Sequence, residues 1–142
     1  MLPRRLESGV KAYQRSDDEW REQEYFLWHR TLSRRALLTN ADGIEWRIHG
    51  DGQLVPVAVT EITRADARQV VDDHYLGSIV DRYNRQFQGR AVRELARRLG
   101  CPAYIVLFRQ GLDEFWVYDL SSIQSGWQHL DPKEMGSFIE AL

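Results

Sequence analysis

Hydrophobic residues change their spacing at a few places along this chain, and each change marks the start of a new element. The sequence SDDE at residues 16–19 fits a capping box, and the apolar residues that follow, Tyr25, Trp28 and Leu32, fall on one face of a helix. The next apolar group, RALLTNA at residues 35–41, predicts a short strand. A helix followed by a strand is therefore expected in the first part of the chain.

The next segment alternates between apolar and polar residues, which is typical of a half-buried strand. The sequence GIEWRIHG begins at Gly43, and a second alternating sequence, LVPVAVTEIT, begins at Leu54. Between them, Asp51 and Gly52 favour a two-residue type I′ turn, because both residue types tolerate the positive φ angles that this turn requires. The pattern predicts an antiparallel hairpin.

Beyond Arg64 the spacing becomes helical and then returns to that of strands. Apolar residues recur every four positions from Val71 to Phe87, and RAVRELARRLG continues as helix until Gly100. The sequences AYIVLFR and EFWVYDL predict two more strands, and a short helix is expected from about Pro132. This order predicts an α/β fold with a single mixed central sheet flanked by helices, arranged αβββαββ before the C-terminal helix.

Length and composition predict a single domain, because 142 residues suffice to bury one core. Residues 1–15 show no clear period and are expected to form an arm or a loose helix. No apolar run approaches the roughly 18 residues that span a bilayer, and the N-terminus lacks the apolar stretch of a secretory signal. Cys101 is the only cysteine, which excludes an internal disulfide and a Cys-rich zinc site. We therefore expect a cytoplasmic protein without membrane association.

The charge balance permits a nucleic-acid partner without demanding one. A net charge of −2 is not that of a generic polycation, yet every basic residue except Lys11 and Lys133 is an arginine. Arginine makes bidentate contacts to phosphate, and Arg34 and Arg35 stand shortly before Asp42 in the sequence. A solvated basic surface and a G+C-rich or thermophilic source are the alternative explanations.

The predicted hairpin places two acids side by side. Its two-residue turn sets three apolar pairs: Ile48 with Val55, Trp46 with Val57, and Ile44 with Val59. Continued by two residues, the same register puts Asp42 opposite Glu61, with Cβ atoms about 4.5–5.5 Å apart. Two like charges at that distance destabilise the hairpin unless something compensates. Mg²⁺, which prefers carboxylate oxygens, is one compensation, and hydration at an exposed hairpin end is the other.

The segments TNADGIEWR and VPVAVTEITR, on strands between two helices, resemble the PD-(D/E)XK nuclease superfamily. The resemblance spans roughly residues 17–119 and leaves residues 120–142 as a C-terminal extension. It implies that Asp42 and Glu61 bind a catalytic Mg²⁺, or Mn²⁺ as a substitute, with the carbonyl group of Ile62 as a further ligand. The implied activity is metal-dependent cleavage of DNA phosphodiester bonds.

One position departs from that family's motif, since Thr63 stands where the family has a lysine that assists the attack of water. Thr63 is then the expected third catalytic residue, and Arg34, Arg35 and Arg64 are the expected DNA contacts. The missing lysine leaves two alternatives open. One is a nuclease-like domain that binds nucleic acid or a protein without cleaving, and the other is an α/β domain with no nucleic-acid role. A homodimer is also left open.

Overall fold

A computed structural model of the protein describes residues 16–122 and 125–142, so the predicted arm at residues 1–15 lies outside the described residues. The chain divides into two compact units, of which the first ends at Leu38 and the second is Thr39–Leu142. The first unit contains helix α1 (Ser16–His29). The second contains, in chain order, β1 (Gly43–Ile48), β2 (Leu54–Ala65), α2 (Asp73–Arg85), α3 (Phe87–Leu99), β3 (Ala103–Arg109), β4 (Phe115–Asp119), β5 (Gln128–Leu130) and α4 (Pro132–Glu140).

The five strands of the second unit form one sheet in the order β1-β2-β3-β4-β5. Strands β2 and β3 are parallel, and the other three pairs are antiparallel. A parallel pair needs a long crossover, which here consists of α2 and α3. The prediction of an α/β fold with a single mixed sheet is confirmed.

Helices pack against both faces of this sheet. The larger core lies between the sheet and α2 and α3, where Val59, Ile105 and Leu107 meet Ile79 and Val92. The smaller core lies on the opposite face, where α4 contributes Met135, and its other buried members are Val106 and Val117. Within the described residues, no helix is both long enough and apolar enough to cross a bilayer.

The order of elements differs from the prediction at three places, one of which is the division of the single helix predicted before β3 into α2 and α3. Residues 35–41 form no strand, and Leu37 keeps 68% of its surface exposed. An isolated apolar run has no backbone partners, and within the described residues the sheet ends at β1 on this side. The C-terminal extension, in contrast, supplies an unpredicted strand, β5, which is too short for an alternating pattern to be visible. The observed order is αββααβββα.

The hairpin turn between β1 and β2 is one residue longer than predicted. The backbone N–H of His49 donates to the carbonyl of Gln53 at 2.9 Å, so three residues, not two, form the loop. The last of them, Gly52, has a φ angle of 84°, as expected for a type I turn that is followed by a left-handed residue. The prediction of a type I′ turn is wrong.

A β-bulge compensates for the longer turn. Near the turn Trp46 pairs with Pro56, but at the next position Glu45 pairs with Ala58, which leaves Val57 as the extra residue. The predicted pairs of Trp46 with Val57 and of Ile48 with Val55 are therefore wrong. Beyond the bulge the predicted register returns, with Ile44 opposite Val59 and Gly43 opposite Thr60.

A sharp corner joins α2 to α3, where Gln86 is extended with φ −83° and ψ 147°. Gly89 lies so close to the preceding helix that a Cβ atom there would overlap the carbonyl oxygen of Tyr83. A glycine is needed at this position, because any side chain would push the two helices apart. The corner brings Tyr83 and Gln88 over the middle of β2.

Candidate functional site

The carboxyl group of Glu61 is buried in the larger core. It lies on β2 on the same face as Val59 and Ala65, and its side chain has no exposed surface. The amide Nε2 of Gln88 donates to Glu61 Oε1 at 2.7 Å. Glu61 Oε2 has no hydrogen-bond partner among the described residues. An unsatisfied buried oxygen is rare in folded proteins and points to an unseen partner, such as a proton or a cation.

Asp42 lies directly before β1 and next to Glu61. Its Oδ2 accepts a hydrogen bond from the backbone N–H of Ile62 at 2.8 Å, which fixes the carboxylate against β2. Asp42 is close enough to Glu61 for its negative charge to raise the pKa of the Glu61 carboxyl group. The structure thus brings together the two acids that the hairpin register predicted to be neighbours.

Burial and the second acid both disfavour a negative charge on Glu61. Their combined effect raises the pKa of this carboxyl from 4.5 to about 7, and loss of hydration on burial is the largest cause. The neighbouring Asp42 carboxyl group contributes to this rise, and the hydrogen bond from Gln88 opposes it. In the absence of a cation, Glu61 therefore holds a proton at mildly acidic pH.

Two further side chains of the site, Gln88 and Tyr83, were not anticipated from the sequence. Tyr83 is 6% exposed, and burial together with the nearby charges of Glu61 and Asp42 raises the pKa of its hydroxyl group. The guanidinium of Arg82 lies over the Tyr83 ring, 5.3 Å from its centre, and opposes that rise. Tyr83 fitted the apolar stripe of α2 and Gln88 followed the helix corner, so neither position carried a signal of its own in the sequence.

The carbonyl group of Ile62 points to the same edge of β2 as Asp42. In an extended strand, the N–H and C=O of one residue point to the same side, and the N–H of Ile62 donates to Asp42. Strand β1 begins at Gly43, which pairs with Thr60, so the ladder does not reach Ile62. This carbonyl oxygen is therefore placed to act as the third ligand that the family resemblance implies.

These oxygens fit a hard divalent cation. Mg²⁺ takes one or two carboxylates from a protein and completes its octahedron with water, and Asp42, Glu61 and the Ile62 carbonyl match that donor set. Among the described residues, no group of three or more His, Cys, Asp or Glu side chains is arranged to hold a metal ion. A Mg²⁺ site with two carboxylates falls below that number of side chains.

No known protein settles the assignment. No protein-family model matches the chain. The comparisons with curated proteins and with solved structures likewise give no match.

The remaining predicted site residues are a threonine and three arginines. Thr63 lies two positions after Glu61 on the same face of β2 and is half-buried. Arg64 points to the opposite face, is exposed, and lies 3.8 Å from Asp66. Arg34 and Arg35 are exposed and belong to the first compact unit, whereas the acids belong to the second.

Proposed function

We propose that this protein is a metal-dependent nuclease that cleaves DNA phosphodiester bonds. Asp42, Glu61 and the carbonyl of Ile62 would hold Mg²⁺, and Mn²⁺ would substitute for it. The resemblance of the two acid-bearing strand segments to the PD-(D/E)XK superfamily supports the choice of reaction and of substrate. The support from the fold is coarser, since a mixed sheet between helices hosts many activities.

One observation carries the proposal: a fully buried Glu61 whose Oε2 atom has no partner, next to a second carboxylate. A carboxylate that is buried without a partner and lies beside a second carboxylate destabilises a protein, and a purely structural role would be filled better by an apolar side chain. A divalent cation removes both problems, because it neutralises the repulsion and supplies the missing partner of Glu61 Oε2.

Each residue then has a definable task. When bound, Mg²⁺ would polarise the scissile phosphate and lower the pKa of its water ligand. Asp42 and Glu61 hold the ion, and the hydrogen bonds from Ile62 and Gln88 orient these two carboxylates. The Thr63 hydroxyl lies on the same face of β2 as Glu61. It would donate a hydrogen bond to the attacking water or accept one from it.

A second candidate function follows from Thr63. A threonine offers no positive charge to the developing phosphorane, whereas the lysine of the resembled motif does. A protein that keeps the fold and the acids but binds DNA without cutting it would have the same structure. Cleavage itself must therefore be tested directly.

The decisive experiment combines cleavage with metal binding. Purified protein is incubated with Mg²⁺ or Mn²⁺ and with linear, single-stranded and branched DNA, and Mn²⁺ binding is measured by calorimetry without DNA. We expect Asp42→Asn and Glu61→Gln to abolish cleavage and to weaken Mn²⁺ binding. Asp66→Asn is the matched control, because Asp66 lies just after β2 and its side chain is 78% exposed.

The outcomes separate the candidates. Binding of Mn²⁺ through these acids without cleavage of any DNA would favour the non-cleaving protein. Unchanged cleavage by both site variants would reject Asp42 and Glu61 as ligands. Thermal unfolding in EDTA checks that each variant is folded, and both site variants should melt at or above the wild-type temperature, since each removes like-charge repulsion.

A further inference from the structure

A cavity of about 550 Å³ lies on the same sheet face as Glu61 but at the other end of the sheet, beside β4 and β5. Its size is that of a small-molecule site. Helix α2 forms one wall, and β4, β5 and the segment before β5 form the other. None of the residues of the carboxylate site lines this cavity, so its chemistry is separate from that of Asp42 and Glu61.

The strand side of the cavity is aromatic. Tyr118 and Trp127 form one ring pair with centres 5.3 Å apart, and Trp116 and His129 form a parallel stack at 4.7 Å. Trp116 is already covered by His129 and by the guanidinium of Arg109. The ring faces left for a ligand are therefore those of Tyr118 and Trp127, whose negative faces attract cations.

The helix side of the cavity is acidic. Asp73, Gly77 and Asp81 follow one another at intervals of four residues and so lie on one face of α2. Among the described residues, neither carboxylate takes part in an ion pair. Asp73 is also favoured in the first turn of a helix, but Asp81 lies two turns later, where the helix dipole gives it no such benefit.

Gly77 opens a groove between the two acids. A Cβ atom built on Gly77 would contact nothing within 4 Å, so the space above it is empty. The two carboxylates stand at either end of this groove, and eight helical residues separate their Cα atoms by roughly 12 Å along the axis. The cavity therefore offers two anionic ends with an aromatic wall between them.

We propose that this cavity binds a linear aliphatic polyamine. A cation with a single charge would satisfy one carboxylate and leave the other unpaired. An extended triamine such as spermidine separates its terminal nitrogens by a length comparable to that between Asp73 and Asp81. Its two ends would pair with these acids, and its central ammonium and methylene groups would pack over Gly77 against Tyr118 and Trp127. The proposal does not depend on nuclease activity.

The test is calorimetric titration of the full chain with spermidine, compared with butylamine as a single-charge amine. We expect saturable binding of spermidine with one site and at least about tenfold weaker binding of butylamine, because one ion pair is lost. Asp73→Asn and Asp81→Asn should each weaken spermidine binding by about tenfold for the same reason. Asp66→Asn, an exposed acid outside the cavity, should leave the affinity unchanged and so controls for general attraction to an acidic protein.

Gly77 provides a steric test that spares the charges. Gly77→Leu fills the groove and should abolish spermidine binding, whereas Gly77→Ala adds a single methyl group and should keep most of it. Thermal unfolding of both variants shows whether they are folded, and Asp42→Asn should bind spermidine like the wild type. Equal binding by Gly77→Leu and the wild type, or equal loss in Asp66→Asn and Asp81→Asn, would overturn the proposal.

Discussion

The Glu61 carboxyl group is completely buried and has one oxygen without a partner among the described residues. A charged carboxylate in such a place is strongly disfavoured unless it is neutralised. The protein has two ways to neutralise it, a proton or a cation, and the two compete for the same oxygens. Stability, protonation and metal binding are therefore linked at this one residue.

Stability in metal-free buffer should fall as the pH rises through the range in which Glu61 ionises. The pKa of Glu61 is about 7 in the folded protein and 4.5 when the group is unperturbed, so between these values only the folded state keeps the proton. Above pH 7 the wild type should have lost about 3 kcal/mol of unfolding free energy relative to pH 4.5 from this group alone.

Urea unfolding in EDTA at several pH values measures this loss. Glu61→Gln is the control, because it keeps the size of the side chain but cannot ionise. The difference between the two stability curves isolates the contribution of Glu61. Parallel curves would show that the carboxyl is hydrated or otherwise paired in solution.

Replacement of Thr63 tests whether the site lacks the positive charge that a lysine side chain would supply. If the protein cleaves DNA, Thr63→Lys should raise the cleavage rate by about tenfold or more, because a charge aimed at the transition state is among the largest catalytic effects. Thr63→Val, nearly the same shape but without the hydroxyl, should lower the rate. Single-turnover cleavage assays measure both, and a protein that only binds DNA would show unchanged affinity in Thr63→Val.

At the scale of single residues, the sequence revealed the two acids but not their neighbours. Glu61 stood out because it continued a row of buried valines, and Asp42 followed from the hairpin register. Gln88 and Tyr83 reach the site through the corner between α2 and α3. Such long-range placement depends on tertiary packing, which local periodicity does not encode.

At the scale of elements, the hairpin register was right near the acids for a reason that the sequence did not show. The turn has one more residue than predicted, and the bulge at Val57 takes up one residue on β2. The longer turn and the bulge offset each other, so the strand pairing from Glu45 back to Gly43 has the predicted register. The strand predicted at residues 35–41 had no such compensation, because it lacked a neighbour in the described sheet.

Two helical glycines should respond to alanine with opposite signs. Gly89→Ala should destabilise the protein by about 1–3 kcal/mol, because the new methyl group would overlap the Tyr83 carbonyl and push α2 away from α3. Gly77→Ala should stabilise it by up to about 1 kcal/mol, because that position is open and alanine favours helix. Denaturant unfolding of the two variants side by side is the measurement, and a loss of stability in Gly77→Ala would contradict the open groove.

At the scale of the whole molecule, the fold class followed from the order of periodicities, because helical and strand spacings alternate clearly along most of the chain. The number of strands did not follow. Strand β5 has three residues and owes its conformation to pairing with β4, where Trp116 lies opposite His129. A strand that short is defined by its neighbour and not by its own sequence.

The net charge of −2 makes the salt dependence of DNA binding informative. A DNA-binding protein of this kind must use local arginines, so its affinity should fall steeply with salt, and each lost phosphate contact should reduce the slope by about one. We expect this reduction for Arg64→Ala and for Arg34→Ala in fluorescence anisotropy with short duplexes. An affinity for DNA that does not change with salt would contradict binding through phosphate contacts.

The burial of Glu61 beside the exposed Asp42 also has an evolutionary consequence. Glu61→Gln needs one nucleotide change and Glu61→Leu needs two, and in the absence of a cation either would relieve the burial of an ionisable group. In a lineage that no longer used the site, such substitutions would therefore accumulate, because they increase the stability of the folded protein. Retention of both acids across distant descendants would thus report continued selection for what they bind, without any measurement of activity.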